Sequence, residues 1–221
     1  MSITPDAVLS FALIAFSIIL HEIAHGYAAL KFGDETALRM DRLTVNPIVH
    51  VDPFGTLLLP IFQLFAWHAV YIGWAKPVPV NPRNLEPRIA GEIVVSIAGV
   101  AVNLAIALAI AVLLGFPGIP RPEPFVARPF LWSALETTQV ANVGLALFNL
   151  LPIPPLDGSH VVKYLLPADL RDGYERIGFN GIFIILALNY LGWLDPIIEG
   201  PLRAITHFLY YGITVRLRGH A

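Results

Sequence analysis

Cysteine is absent from the 221 residues. That absence removes disulfides, thiolate metal sites and thiol nucleophiles, so any metal must be held by His, Asp or Glu. Charge is scarce too: 14% of residues are charged, the net charge is −2, and no run of Lys or Arg exists to neutralise phosphates. Nothing therefore points to nucleic acid as a partner. The first apolar stretch, Ala7–Leu20, has no basic residue before it and no small-residue cleavage site after it. It is expected to belong to the mature chain and not to a removed signal. No repeat, low-complexity tract or soluble module interrupts the sequence, so a single integral-membrane domain is expected over 1–221, with a core at about 7–166 and further helices over 174–215.

What is abundant is apolar surface: 56% of residues are hydrophobic and the mean hydropathy is +0.68. A spanning helix needs about 20 mostly apolar residues. Five segments reach or approach that length: Ala7–Leu30, Phe54–Trp74, Ile89–Leu114, Phe130–Leu151 and Tyr174–Trp193. A sixth, Ile197–Val215, is interrupted by Arg203 and His207. The expected fold is an all-α polytopic membrane protein with five to six apolar segments. Near residues 76–82 the alternation of Val and Pro in Lys76-Pro77-Val78-Pro79-Val80-Asn81-Pro82 has no helical period and predicts a short β-like edge segment.

His21-Glu22-Ile23-Ala24-His25 is a His-Glu-x-x-His pattern inside an apolar helix. Histidines four apart project from one face, so both imidazoles can reach one Zn²⁺, and the neighbouring Glu22 can act on its water. The bland alternative is a trio satisfied by polar neighbours in a helix bundle. Against it stands the cost of three ionisable groups within a span. A catalytic zinc keeps three protein ligands, so a third must come from elsewhere. Asp157 qualifies, at the end of an apolar helix in the turn Pro154-Pro155-Leu156-Asp157-Gly158, where an ordinary turn residue is the competing reading. His160, three residues on, could compete as a ligand.

If His21, His25 and Asp157 share one metal, the end of the first helix and the loop after Leu151 must lie on the same side. Phe54–Trp74 must then re-enter and return, with Leu59-Pro60 supplying the break. Lys/Arg placement agrees with this reading. Lys31, Arg39, Arg42, Lys76, Arg83, Arg88, Lys163, Arg171, Arg176, Arg216 and Arg218 fall on the inner side, against only Arg121 and Arg128 outside. The positive-inside tendency then puts the site toward the cytoplasm and the N-terminus outside.

With His21, Glu22, His25, Asp157 and Gly158, and the approach Leu147-Phe148-Asn149-Leu150-Leu151-Pro152, the chain resembles the site-2 protease family of intramembrane zinc metalloproteases. The likeness runs from about Ile18 to Val162, and Lys76–Pro82 is similar to a segment of small members without PDZ-like or nucleotide-sensing domains. It implies one Zn²⁺ on His21, His25 and Asp157, with Glu22 as catalytic base. It also implies substrate-binding or oxyanion roles for Asn149 and for Asn103 of Gly99-x-x-x-Asn103. The implied activity is cleavage of a transmembrane protein substrate within the bilayer. The extended pattern of 76–82 is expected to let that edge pair with the unwound substrate. The rival is a divalent-metal transporter or metal-binding membrane protein, which should show more acidic or histidine residues along its spans. Glu92, His50, His68, His207 and His220 are assigned to neighbouring, loop or packing positions, and Asn142 to a structural one.

Overall fold

The computed structural model describes residues 4–58, 61, 62, 65, 75–120, 122 and 129–219. The main helices are α1 (Pro5–Lys31), α2 (Thr36–Arg39), α3 (Arg88–Gly115), α4 (Phe130–Asn149), α5 (Asp157–Val162), α6 (Ala168–Ile177), α7 (Gly181–Tyr190) and α8 (Asp195–His207). α8 continues through π-helical turns, Phe208–Val215, into α9 (Arg216–Gly219). No strand occurs among the described residues.

The long helices carry the signature of lipid as solvent. Val8, Phe11 and Phe16 of α1 and Ile97, Leu104 and Leu108 of α3 are exposed, whereas Ser10, Ser17 and His21 of α1 and Glu92, Ser96 and Asn103 of α3 are buried. Apolar outside and polar inside inverts the pattern of a water-soluble bundle and suits a bilayer, where buried polar groups bond between helices. The protein is an integral membrane protein.

Two helices, Pro5–Lys31 and Arg88–Gly115, are long and apolar enough to cross, among the described residues. A pair bent by 82°, Ala168–Tyr190 with Asp195–Gly219, makes at most a third. This is fewer than the five to six segments expected. Phe130–Asn149 does form a 20-residue helix, but Glu136, Gln139, Asn142 and Asn149 lower its apolarity. The segment expected at Tyr174–Trp193 is split, because Gly178 takes φ +45° between α6 and α7. Most of Phe54–Trp74, including the Leu59-Pro60 break, lies outside the described residues.

The chain forms two compact units, and the division falls within α1 and α3. The first comprises Met1–Ser17 and Val100–Ala221. Its cores gather Ile110, Leu114, Trp132 and Leu135, then Ala107, Ala111, Val143 and Leu209, then Leu151, Ile185 and Leu194. Polar ties supplement this packing: Asn142 Nδ2 donates to Ser17 Oγ at 3.0 Å, and Gln139 Nε2 to the Ala107 carbonyl at 3.0 Å. The last carbonyls of α3 and its following turn, at Leu114, Phe116 and Ile119, accept from the Arg218 guanidinium. That cation both satisfies orphan carbonyls and suits the negative end of the helix.

The second unit, Ile18–Gly99, packs Ala29, Leu85 and Val95 with Phe32 and Val80. α1 stops where Gly33 takes φ +96° and Asp34 N–H bonds back to the Ala29 carbonyl at 3.0 Å. Such a left-handed residue closes a helix at low steric cost only for glycine. Asp34 is then buried and organises the turn. Its carboxylate accepts from the Thr36 N–H and hydroxyl, from Asn84 Nδ2 at 2.9 Å and from the Asn81 N–H at 2.7 Å. Burial pushes the Asp34 carboxyl upward, yet these donors outweigh it and hold it below the ordinary carboxylate value.

The predicted β-like edge at 76–82 is a correction. Residues 75–81 form neither strand nor helix, and a short 3₁₀ turn follows at Pro82–Asn84. The physical reason is that the backbone groups are turned inward. Lys76 N–H donates to the His50 carbonyl, the Lys76 and Pro77 carbonyls accept from Arg42, Val78 N–H donates to Glu22, and Asn81 N–H to Asp34. Pro77 and Pro79 have no N–H to offer.

Candidate metal centre

In the second unit, α1 brings His21 and His25 to one face, and their Nε2 atoms stand 3.0 Å apart with the rings edge to face. His25 Nδ1 lies 2.7 Å from the Val95 carbonyl oxygen. A carbonyl only accepts, so Nδ1 carries the proton and Nε2 presents its lone pair to the point that His21 Nε2 also faces. Two zinc-bound nitrogens at tetrahedral geometry would sit about 3.3 Å apart. The observed pair therefore fits one ion with little movement, and the Val95 carbonyl is the kind of partner that orients a ligating histidine.

Gly99 of α3 makes this arrangement possible. A Cβ on Gly99 would stand 2.5 Å from His21 Cε1 and 2.6 Å from each Nε2. What the missing side chain of Gly99 admits is the pair of imidazoles. Glu22 is half-buried, and its Oε2 accepts from the Val78 N–H at 2.8 Å. Glu92 is buried and paired with Arg88 at 2.9 Å.

In the first unit, Asp157 is the first residue of α5 and half-buried. Gly158 explains the Asp-Gly pair, since a Cβ there would lie 2.2 Å from the Leu150 carbonyl oxygen and 2.8 Å from that of Leu151. These are backbone atoms, so only glycine lets the turn close and hold the carboxylate in place. His160 is exposed, three residues further on. Asn149 donates its Nδ2 to the Leu145 carbonyl of its own helix at 3.0 Å. Asn103 is 1% exposed, and neither atom of its amide has a hydrogen-bond partner among the described residues. His50 is buried and bonds the Thr44 carbonyl, and His207 packs on Tyr211, so both are packing residues. His68 and His220 lie outside the described residues.

Three contributors escaped the sequence reading. Asp34 and Arg42 had no motif around them; their signal is only that a charge would be buried. Val78 acts through its backbone N–H, which no side-chain pattern reveals.

Converging imidazoles with a fixed tautomer, beside a carboxylate and within membrane helices, define a membrane metallohydrolase. A sequence profile of peptidase family M50 matches residues 125–188. YwhC of Bacillus subtilis, named as a proposed zinc metalloprotease, is 38% identical over 207 residues, covering 87% of this chain and 86% of its own. Rip2 of Mycolicibacterium smegmatis, named likewise, is 29% identical over 172 residues, covering 78% of this chain and 62% of its own. The zinc metalloprotease MJ0392 of Methanocaldococcus jannaschii is 26% identical over 206 residues, 91% of this chain but 47% of its own. No solved structure matches the chain. The chain belongs to peptidase family M50, the site-2 proteases; it is a metalloendopeptidase, and its metal is Zn²⁺.

Proposed function

We propose that this protein hydrolyses peptide bonds of transmembrane protein substrates within the bilayer, at one zinc site held by His21, His25 and Asp157, with Glu22 as the base. The observation that carries the reading is the convergence of His21 Nε2 and His25 Nε2 at 3.0 Å, one residue from a carboxylate. Asp157 is the third ligand because it supplies the hard oxygen donor that complements two imidazoles. It lies within the stretch matched by the family profile, and Gly158 anchors its turn. We read the whole of 1–221 as one protease domain, supported by α1 and α3 each running unbroken through both compact units.

When bound, Zn²⁺ supplies Lewis acidity that makes a water easier to deprotonate near neutral pH and polarises the scissile carbonyl. Glu22 keeps Oε2 on the Val78 N–H and uses Oε1 to take a proton from the attacking water. The water oxygen bonds to the carbonyl carbon, the C–N bond breaks, and Glu22 returns its proton to the leaving amine. Asn149 retains a second amide hydrogen to donate to the developing oxyanion. Asn103 is read as a group that binds the substrate backbone. An amide buried without partners costs about 1–3 kcal/mol, a cost that a substrate hydrogen bond would offset. A helical substrate must unwind locally, since its carbonyls are otherwise occupied within the helix.

The distribution of Lys and Arg supports a site toward the cytoplasm with the N-terminus outside. Transport is disfavoured because a divalent-ion path calls for further acidic or histidine residues along its spans, whereas Glu92 is paired with Arg88 and His207 packs on Tyr211. Glu22→Gln tests this in reconstituted vesicles: loss of reporter-helix cleavage with zinc retained supports the enzyme. Divalent-ion flux surviving in that variant would establish the transporter instead.

A further inference from the structure

The segment 76–81 touches the His-Glu-x-x-His helix at one polar point, the Val78 N–H on Glu22 Oε2 at 2.8 Å. A backbone N–H aims a carboxylate only if the peptide that bears it is fixed, and three anchors fix this one. Arg42, only 6% exposed, donates through Nη2 to the Lys76 carbonyl at 2.8 Å and the Pro77 carbonyl at 3.2 Å. Lys76 N–H donates to the His50 carbonyl at 2.8 Å, and Asn81 N–H to Asp34 at 2.7 Å. Pro77 and Pro79 on either side of Val78 restrict φ, so the peptide is stiff as well as tethered. The Val78 side chain is buried over Gly26, where a Cβ would come within 2.8 Å of Val78 Cγ1.

We infer that Arg42, acting through the carbonyls of Lys76 and Pro77, is a positioning residue that sets the Val78 N–H and thereby fixes the Glu22 carboxylate for proton transfer. This rests on the reading of Glu22 as the base. Arg42 is the anchor next to the donor: it grips the two carbonyls that precede the Val78 N–H, and the second of them belongs to the same peptide group. Arginine suits the task, because Nη2 carries two hydrogens for the two carbonyls and the guanidinium stays charged when buried. A freed carboxylate would sample several rotamers, and misplacement of a reacting group by about 1 Å can cost up to about a hundredfold in rate.

The experiment compares zinc-loaded wild type with Arg42→Ala, Arg42→Lys, Val78→Pro and Glu22→Ala in nanodiscs. It measures zinc content, kcat and KM on a reporter transmembrane helix, and hydrogen exchange at the Val78 amide. Arg42→Ala should keep zinc and change KM by less than about twofold while kcat falls at least about tenfold, with Arg42→Lys recovering part of the loss. Exchange at Val78 should accelerate in both Arg42→Ala and Glu22→Ala. Val78→Pro removes the N–H while keeping an apolar side chain between existing prolines, and decides the matter if Arg42→Ala does not fold: kcat should fall with zinc retained. Wild-type kcat in Val78→Pro, or unchanged Val78 exchange in Glu22→Ala, overturns the inference. Retained cleavage by Glu22→Ala would instead overturn the assignment of the base.

Discussion

Gly99 and His25 are placed so that not one carbon can be added between them: a Cβ on the glycine would lie 2.6 Å from the histidine Nε2. The same carbon would also crowd His21, so the glycine is a condition for two imidazoles to face one point. Gly99→Ala should fold, because α3 is long and alanine favours helix, but zinc affinity should drop by at least about tenfold as the rings are pushed off geometry. Zinc titration with a competing chelator measures this, and unchanged affinity would refute it.

Asp157 and Gly158 separate ligand from scaffold. As a proposed ligand, Asp157 should on mutation to Ala lower zinc occupancy and cost the apo protein less stability than the Gly158→Ala change does. Gly158→Ala should destabilise the apo protein itself, by roughly 2 kcal/mol or more, because its Cβ meets backbone that cannot rotate away. Thermal unfolding of the metal-free variants beside zinc analysis distinguishes the two effects.

Asn103 offers a test of function against structural glue. A buried amide with no partner among the described residues gives nothing to their packing, so Asn103→Leu should be neutral or stabilising to unfolding. Cleavage should nevertheless weaken, with kcat/KM down about tenfold. A destabilised variant with unchanged kcat/KM would show that Asn103 serves packing alone.

Asp34 sets an acid limit on the turn after α1. Its folded carboxyl titrates below the ordinary value of about 3.9, so the stability it contributes is complete above that pH and is lost as pH falls through its lower folded value. Asp34→Asn should lower the melting temperature at neutral pH and flatten its decline in acid. An identical acid profile in both proteins would contradict this account.

The sequence made some of this legible for physical reasons that can be named. His21 and His25 were visible because a four-residue spacing fixes a shared helical face whatever the surroundings. α1 and α3 were visible because a bilayer demands long apolar runs. Phe130–Asn149 was also legible as a helix, but its buried Gln139 and Asn142 bond other elements, and so it lacks the hydropathy of a span. The 76–82 segment misled because alternating Val and Pro excludes helix without requiring a strand. Its donors and acceptors went to Arg42, Glu22, Asp34 and His50, none of which is its neighbour in sequence. Gly158 could be read as a turn residue, but not that two backbone carbonyls forbid anything larger.

The most direct measurement is zinc stoichiometry and reporter-helix cleavage for wild type and Glu22→Gln side by side in lipid. About one zinc per chain in both, with cleavage only in wild type, is the predicted result. Cleavage by the glutamine variant at the wild-type rate, or no zinc in the wild type, would contradict the account.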